Sequence, residues 1–436
     1  LVKTSPLDHG ATLITERLPQ FRAVSLGFWV AAGSRHEAKL EQGLSHFLEH
    51  MMFKGTSRRS AAEIARLVDR AGGDFNAFTS REYTCFHILV LAQDVPLAVD
   101  ILGDVLLNSV FDSKEISRER KVILQEIDMV QDNPEEVLFD ELFEAVYDGH
   151  PLGRPILGPK RLVSRYNRQQ IKGYFKKHYN PSHMLVTAAG PVDHRKLRQS
   201  LNDVFRRVKA PRYAARSGNN QKLRTHRTAA PRFHPGFKVM TKDTEQSLLV
   251  MAFPGLSVSD PRRFSLSVLN THLGGGMSSR LFQEIREKQG LAYSVYSNTL
   301  SFRDTGLFTV FLGTAPGDLE KCLKIIVREL RQLKELPLTN EELQLVKESL
   351  KKTILINEDS VEGRMMNLAR SQMFFGRELT LKEVFRAIDG VTAKQVQALA
   401  RERFDGKNCR TLVLGPKLKD QQLKDQHAIR KLIDGL

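Results

Sequence analysis

Two rhythms of apolar residues alternate along this chain. Continuous or alternating apolar runs predict strands near residues 23–31 and 83–91, and apolar positions spaced three and four apart predict helices over 39–53, 60–71, 94–108 and 113–131. The order then recurs. SLLVMAFPG near 247–255 reads as a strand, FSLSVLNTHL over 264–273 as a helix, RLFQEIREKQG as a second helix ended by Gly290, and TGLFTVFLG as another strand. Two further helices follow near 317–335 and 339–356. The best correspondence sets residues 82–106 beside 304–328, which points to an internal duplication of about 200 residues. The implied fold class is α+β, with two homologous domains that each pack helices against a mainly antiparallel sheet.

A chain of 436 residues is long enough for two such domains. The expected boundaries are a first domain over 1–209, a basic linker over 210–235, and a second domain over 236–436. The linker is read from an acid-free basic run, Arg206 to Arg232, in a segment that also holds Gly, Asn, Ala and Pro. The total charge of +16 keeps open a nucleic-acid or membrane-surface binder as a rival of a different class. Three separated cysteines, Cys85, Cys322 and Cys409, cannot build a disulfide framework or a thiolate metal site. No apolar run approaches the roughly 18 to 20 residues of a membrane span. The opening residues lack the features of a secretory leader, so the expected location is cytoplasmic.

Chemistry concentrates in GLSHFLEHMMFKGTS. On a helix, His46 and His50 stand one above the other with Glu49 beside them, so two imidazoles and a carboxylate converge. Zinc favours such nitrogen and oxygen ligands, and a catalytic zinc site leaves one position for water. In this reading His46 and His50 are ligands and Glu49 is the general base. Helix-face histidines that merely pack or face solvent give the same pattern. A third ligand is expected from SRERKVILQEIDMVQD, where Glu119 and Glu126 lie two turns apart on one face. One of the two can bind metal while the other holds a histidine or the water. In the ungapped alignment of the two halves, LSVLNTHLGGG stands where GLSHFLEHMMFKG stands and carries no His-x-x-Glu-His, which assigns the chemistry to the first half.

HFLEHMMFKGTS, AGGDFNAFTSREYT and ERKVILQEI together resemble the pitrilysin family of inverted-motif zinc peptidases, over about residues 10–415. Size and the HPLGRPILG segment at 150–158 look most like the short-chain branch that includes mitochondrial processing peptidase and its bacterial relatives. The resemblance implies Zn2+ held by His46, His50 and Glu126, Glu49 as base, and Glu119 as a supporting acid. It implies that Asn76, Ala77, Phe78 and Thr79 form the strand edge on which an extended substrate lies. Arg286 and Tyr293, in IREKQGLAYSVYS, match the family's pair of oxyanion donors. The implied activity is a zinc metalloendopeptidase acting on oligopeptides or unfolded small proteins inside a dimeric chamber. Its partner is an identical chain or a related noncatalytic one, and neither nucleic acid nor membrane is a partner. A noncatalytic assembly subunit of the same fold is the rival within the family, and the intact motif argues against it.

Overall fold

The computed structural model describes residues 1–206, 229–416 and 429–436. Most of the expected linker, through residue 228, lies outside the described residues. The described residues form two compact units. The first draws on residues within 1–128, 154–228 and 355–379, and the second on residues within 129–153, 229–354 and 380–436.

The first unit is built on a six-stranded sheet: β1 (Val2–Pro6), β2 (Thr12–Arg17), β3 (Ala23–Val30), β4 (Asp74–Thr79), β5 (Thr84–Leu91) and β6 (Met184–Gly190). Their spatial order is β1-β2-β6-β3-β5-β4, antiparallel except for the parallel β2–β6 pair. β3 is central, and every residue after its first is buried. Helices α1 (Leu44–Met52), α2 (Ala61–Arg70), α3 (Val95–Asn108) and α4 (Ser113–Asp132) follow in chain order. Side chains from α1, α3 and the start of α4 pack with the β3 and β5 residues Leu26, Phe28, Phe86 and Ile88 into one core.

Local signals explain where several elements begin. Ser60 and Glu63 form a reciprocal cap at the start of α2. The metal-motif helix differs from the expected 39–53 span, because it starts only at Leu44. Gly43 sits at φ +90°, a left-handed conformation that breaks helical continuation from residue 39.

α5 (Pro134–Val146) belongs to the second unit, whereas α6 (Lys160–Val163), α7 (Arg168–His178) and α8 (His194–Phe205) belong to the first. The second unit's sheet comprises β7 (Gly236–Thr241), β8 (Ser247–Pro254), β9 (Ala292–Ser301), β10 (Gly306–Thr314) and β11 (Arg410–Gly415). Its order is β7-β11-β8-β10-β9, with β7–β11 the parallel pair. This repeats the β2-β6-β3-β5-β4 part of the first sheet, strand for strand. Helices α9 (Arg263–Gly274), α10 (Leu319–Glu335), α11 (Asn340–Asn357), α12 (Val361–Phe375), α13 (Leu381–Asp389) and α14 (Ala393–Arg403) complete the chain. The segment expected as a helix around RLFQEIREKQG holds a single wide π-type turn, Phe282–Glu287.

Each sheet buries its second face under a helix from the other half of the sequence. α5 packs Leu138, Leu142 and Phe143 against Val250, Phe311 and Leu412 of the second sheet. α12 packs Met365, Leu368 and Ala369 against Trp29, Cys85 and Leu185 of the first. Among the described residues no helix is long and apolar enough to cross a membrane.

Candidate metal centre

α1 presents His46, Glu49 and His50 from one face, because positions three and four apart share a side of a helix. The opposite face is buried: Phe47, Leu48, Met51 and Met52 are in the core, so the helix cannot roll to hide the polar set elsewhere. α4 brings Glu119 and Glu126, two turns apart, toward the same imidazoles.

One donor atom each from His46, His50 and Glu126 lies within 4.8 Å of the others. His46 Nε2 is 3.6 Å from Glu126 Oε1, and His50 Nε2 is 3.4 Å from Glu126 Oε2. The two imidazole rings meet edge to face at 4.7 Å. Glu126 Oε2 and His46 Nδ1 are both shielded from solvent, and beyond the 3.4 Å approach of His50 Nε2 to the former neither has a hydrogen-bond partner among the described residues. Unsatisfied buried polar atoms are uncommon, and a shared cation accounts for the carboxylate oxygen. Two imidazole nitrogens and one carboxylate oxygen are a donor set that suits zinc with one position left over. The residues fit such an ion.

The surroundings polarise the set. His46 and then His50 hold the Glu126 carboxyl well below the usual range, against the opposing effect of burial. Burial is the largest influence on His50 and pulls its pKa down. The carboxylates of Glu126, Glu119 and Glu49 together outweigh it, so the imidazole ends above its ordinary value. Glu119 is buried and bridges two partners: its Oε2 is 3.3 Å from His50 Nδ1 and its Oε1 accepts from Lys54 Nζ at 2.8 Å. A ring nitrogen facing a carboxylate in this way fixes which nitrogen is free to bind metal.

Glu49 does not join the ligand group. Its Oε2 accepts a 2.5 Å hydrogen bond from Thr79 Oγ1 at the end of β4. β4 pairs only with β5 among the described strands, so Asn76, Ala77, Phe78 and Thr79 lie on an outer strand of the sheet that ends beside the Glu49 carboxylate. Phe78 turns to the opposite face, against Trp29 and Tyr83.

Arg286 and Tyr293 lie in the second unit and meet each other. The guanidinium stands 5.0 Å from the Tyr293 ring centre and 4.8 Å from that of Phe282, the cation held over both aromatic faces. Tyr293 is 77% exposed on β9.

Sequence reasoning missed Lys54 and the Thr79–Glu49 bond. Lys54 was visible as the residue one turn beyond His50 in HMMFKG, but nothing in spacing alone tells a partner of Glu119 from a solvated lysine.

Residues 12–160 match the family model described as Insulinase (Peptidase family M16), and residues 165–350 match that of the Peptidase M16 inactive domain. An uncharacterized zinc protease of Streptomyces coelicolor is 39% identical over 434 residues, covering 98% of this chain and 92% of its own length. One of Bacillus subtilis is 36% identical over 404 residues, covering 93% and 96%. The crystal structure of a protease from Helicobacter pylori superposes with a TM-score of 0.87 at 22% identity, covering 95% of this chain and all of that one, which extends the likeness in fold. Matches of this extent, over both halves and at this identity, establish that the chain belongs to peptidase family M16.

Proposed function

We propose that this chain is a zinc metalloendopeptidase whose ion is held by His46, His50 and Glu126. The observation that supports this most is the convergence of those three donors beside the separate carboxylate of Glu49. The relatives described as zinc proteases support the identity of the ion. When bound, zinc supplies a Lewis acid that polarises a carbonyl and acidifies water.

The protein's own residues do the rest. Glu49 takes up a proton from the attacking water, and Thr79 holds one of its oxygens so that the other faces the reacting groups. Glu119, neutralised by Lys54, keeps the His50 ring oriented. The free edge of β4 hydrogen-bonds an extended peptide as an added strand and so sets its carbonyl beside Glu49. In the dimer, Arg286 and Tyr293 of one chain donate to the oxygen on which negative charge develops at the site of the other. Substrates are oligopeptides and unfolded or small proteins, enclosed by a dimer of this chain with itself or with a related noncatalytic chain.

Hydrolysis of a mixed peptide library, followed by mass spectrometry with and without a chelator, tests this reading. Glu49→Gln should keep its zinc and lose about a thousandfold or more in turnover, since the base is gone and the ligands remain. Glu126→Gln should instead lose zinc. Unchanged metal content and turnover in both variants would overturn the assignment of roles.

A further inference from the structure

The segment HPLGRPILG and the residue Glu37 have no place in the reaction outlined above, yet both converge on the start of α1. We infer that Glu37, held by Arg154, is a positioning residue of the metal centre: its carboxylate fixes where α1 begins, and so where His46 stands. This inference rests on the proposed metal site.

His46 is the third residue of α1 and therefore lies in its first turn, whose backbone N–H groups have no partners within the helix. An ordinary helix is capped there by a side chain at the residue before it. Here that residue is Gly43, which makes no side-chain cap and adopts φ +90°. A larger residue does not fit, because a Cβ on Gly43 would run into the Leu157 carbonyl, and one on Gly158 into that of Gln42. The cap comes from six residues upstream. Glu37 is buried, its Oε2 accepts from Gly43 N at 2.8 Å, and its Oε1 accepts from Ser45 N at 2.7 Å. Arg154 Nη1 donates to the Glu37 carbonyl at 2.5 Å, Tyr166 donates to the Gln42 carbonyl at 2.6 Å, and Ser45 Oγ shares a 2.7 Å hydrogen bond with Tyr174. A carboxylate also suits the positive end of a helix.

Both oxygens must accept for both N–H groups to be satisfied. A neutral side chain of the same shape, either protonated Glu37 or a glutamine, turns one donor toward an N–H and releases part of the first turn. Burial pushes the Glu37 carboxyl up to about 7, against the opposing hydrogen bonds from Ser45 and Gly43 and the charge of Arg154. The titratable groups around it are Arg154 from the 150–158 segment, Tyr166, Tyr174 from α7, and Glu41 on its own turn. Both phenols are pushed up, chiefly by burial and then by the Glu37 charge, and stay neutral near pH 7. Glu37 is thus the group that changes charge in this range.

The test is zinc affinity of the full chain, measured by chelator competition from about pH 6 to about pH 8.5 for the parent, Glu37→Gln and Arg154→Met. Protonation of the shared ligands cancels in the ratio of two affinities. Glu37→Gln should bind zinc about tenfold more weakly than the parent at the alkaline end, and the ratio should close toward one at the acidic end. Arg154→Met removes the donor to the Glu37 carbonyl together with a positive charge beside Glu37, so its affinity should fall below the parent's, by the widest margin around neutrality, where the missing charge leaves more of Glu37 protonated. A ratio for Glu37→Gln that is one throughout, or large and independent of pH, would overturn the inference. Arg154→Met changes a half-buried side chain and carries the test if Glu37→Gln fails to fold, a pH profile identical to the parent being the overturning result. A parent that binds no zinc would overturn the metal site itself, which is a different outcome.

Discussion

The two units share a frame and differ in what fills it. Five strands run in the same order in each, with one parallel pair at the corresponding place. In each, an arginine beyond the first sheet-packed helix reaches a buried acid on a later helix: Arg59 to Asp104 at 2.9 Å, and Arg280 to Glu329 at 2.8 Å. With Leu44 set against Leu266, Val268, Thr271 and His272 stand where His46, Glu49 and His50 stand in the first unit. When Ser113 and Asn340, the first residues of α4 and α11, are set together, Val346 stands opposite Glu119, and it is buried in the apolar core. The frame therefore folds without the polar cluster, and with an apolar residue in place of a buried carboxylate. Buried ionisable groups are costly to keep, so the presence of the His46, His50 and Glu119 cluster in the first unit alone points to chemistry rather than architecture.

The comparison is sharpest at the two matched histidines. His50→Leu should abolish tight zinc binding and lower peptide hydrolysis about a thousandfold or more, by analogy with loss of any essential catalytic group. His272 is buried, burial pulls its pKa down, and it joins no metal-ligand group among the described residues. His272→Leu should leave zinc content and turnover at parental values, and a loss of zinc from that variant would break the contrast. A smaller effect is expected one step out from the ligands. Glu119→Gln should weaken zinc by about 10 to 100-fold, and Lys54→Met by about tenfold, read by chelator competition.

Much of this was legible beforehand because it depends on short-range periodicity. The spacing of His46, Glu49 and His50 on one helix, and of Glu119 and Glu126 on another, follows from 3.6 residues per turn. The strands that the sequence pattern revealed are β3, β5, β8 and β10, whose residues are nearly all buried. β1 and β7 have mostly exposed or half-buried residues and leave no comparable signal. Two facts needed three dimensions. α5 and α12 each pack on the sheet formed by the other half of the sequence, and an amphipathic pattern names a buried face without naming its partner. Likewise, Glu37 looks like a surface acid in SRHEAKLEQG until the helix start folds onto it.

The shared frame makes a prediction of its own. Arg59→Met and Arg280→Met should each lower stability by about 2 kcal/mol, because each removes a charged donor from a buried carboxylate that keeps its other partners. Urea unfolding measures this, and similar losses in both would show that the repeated pair is structural in both. A loss confined to Arg59→Met would instead tie that pair to the metal site.

The smallest expected effect is a pH slope. The Glu37 pKa is raised to about 7 in the folded state, so the folded chain binds more protons than the unfolded one between its ordinary carboxyl range and that value. Its contribution to stability is therefore present at low pH and lost as pH rises through about 7. The midpoint of urea unfolding of the parent should fall, relative to Glu37→Gln, as pH rises through this window. A difference between the two proteins that does not change with pH would contradict this.

The central claim is that one unit holds the metal and its structural twin does not. Anomalous diffraction at the zinc edge, from crystals of the zinc-loaded chain, tests it most directly. The account predicts one strong peak per chain, bounded by His46, His50 and Glu126. A map with no peak there, or with a peak of equal height beside His272, would contradict it.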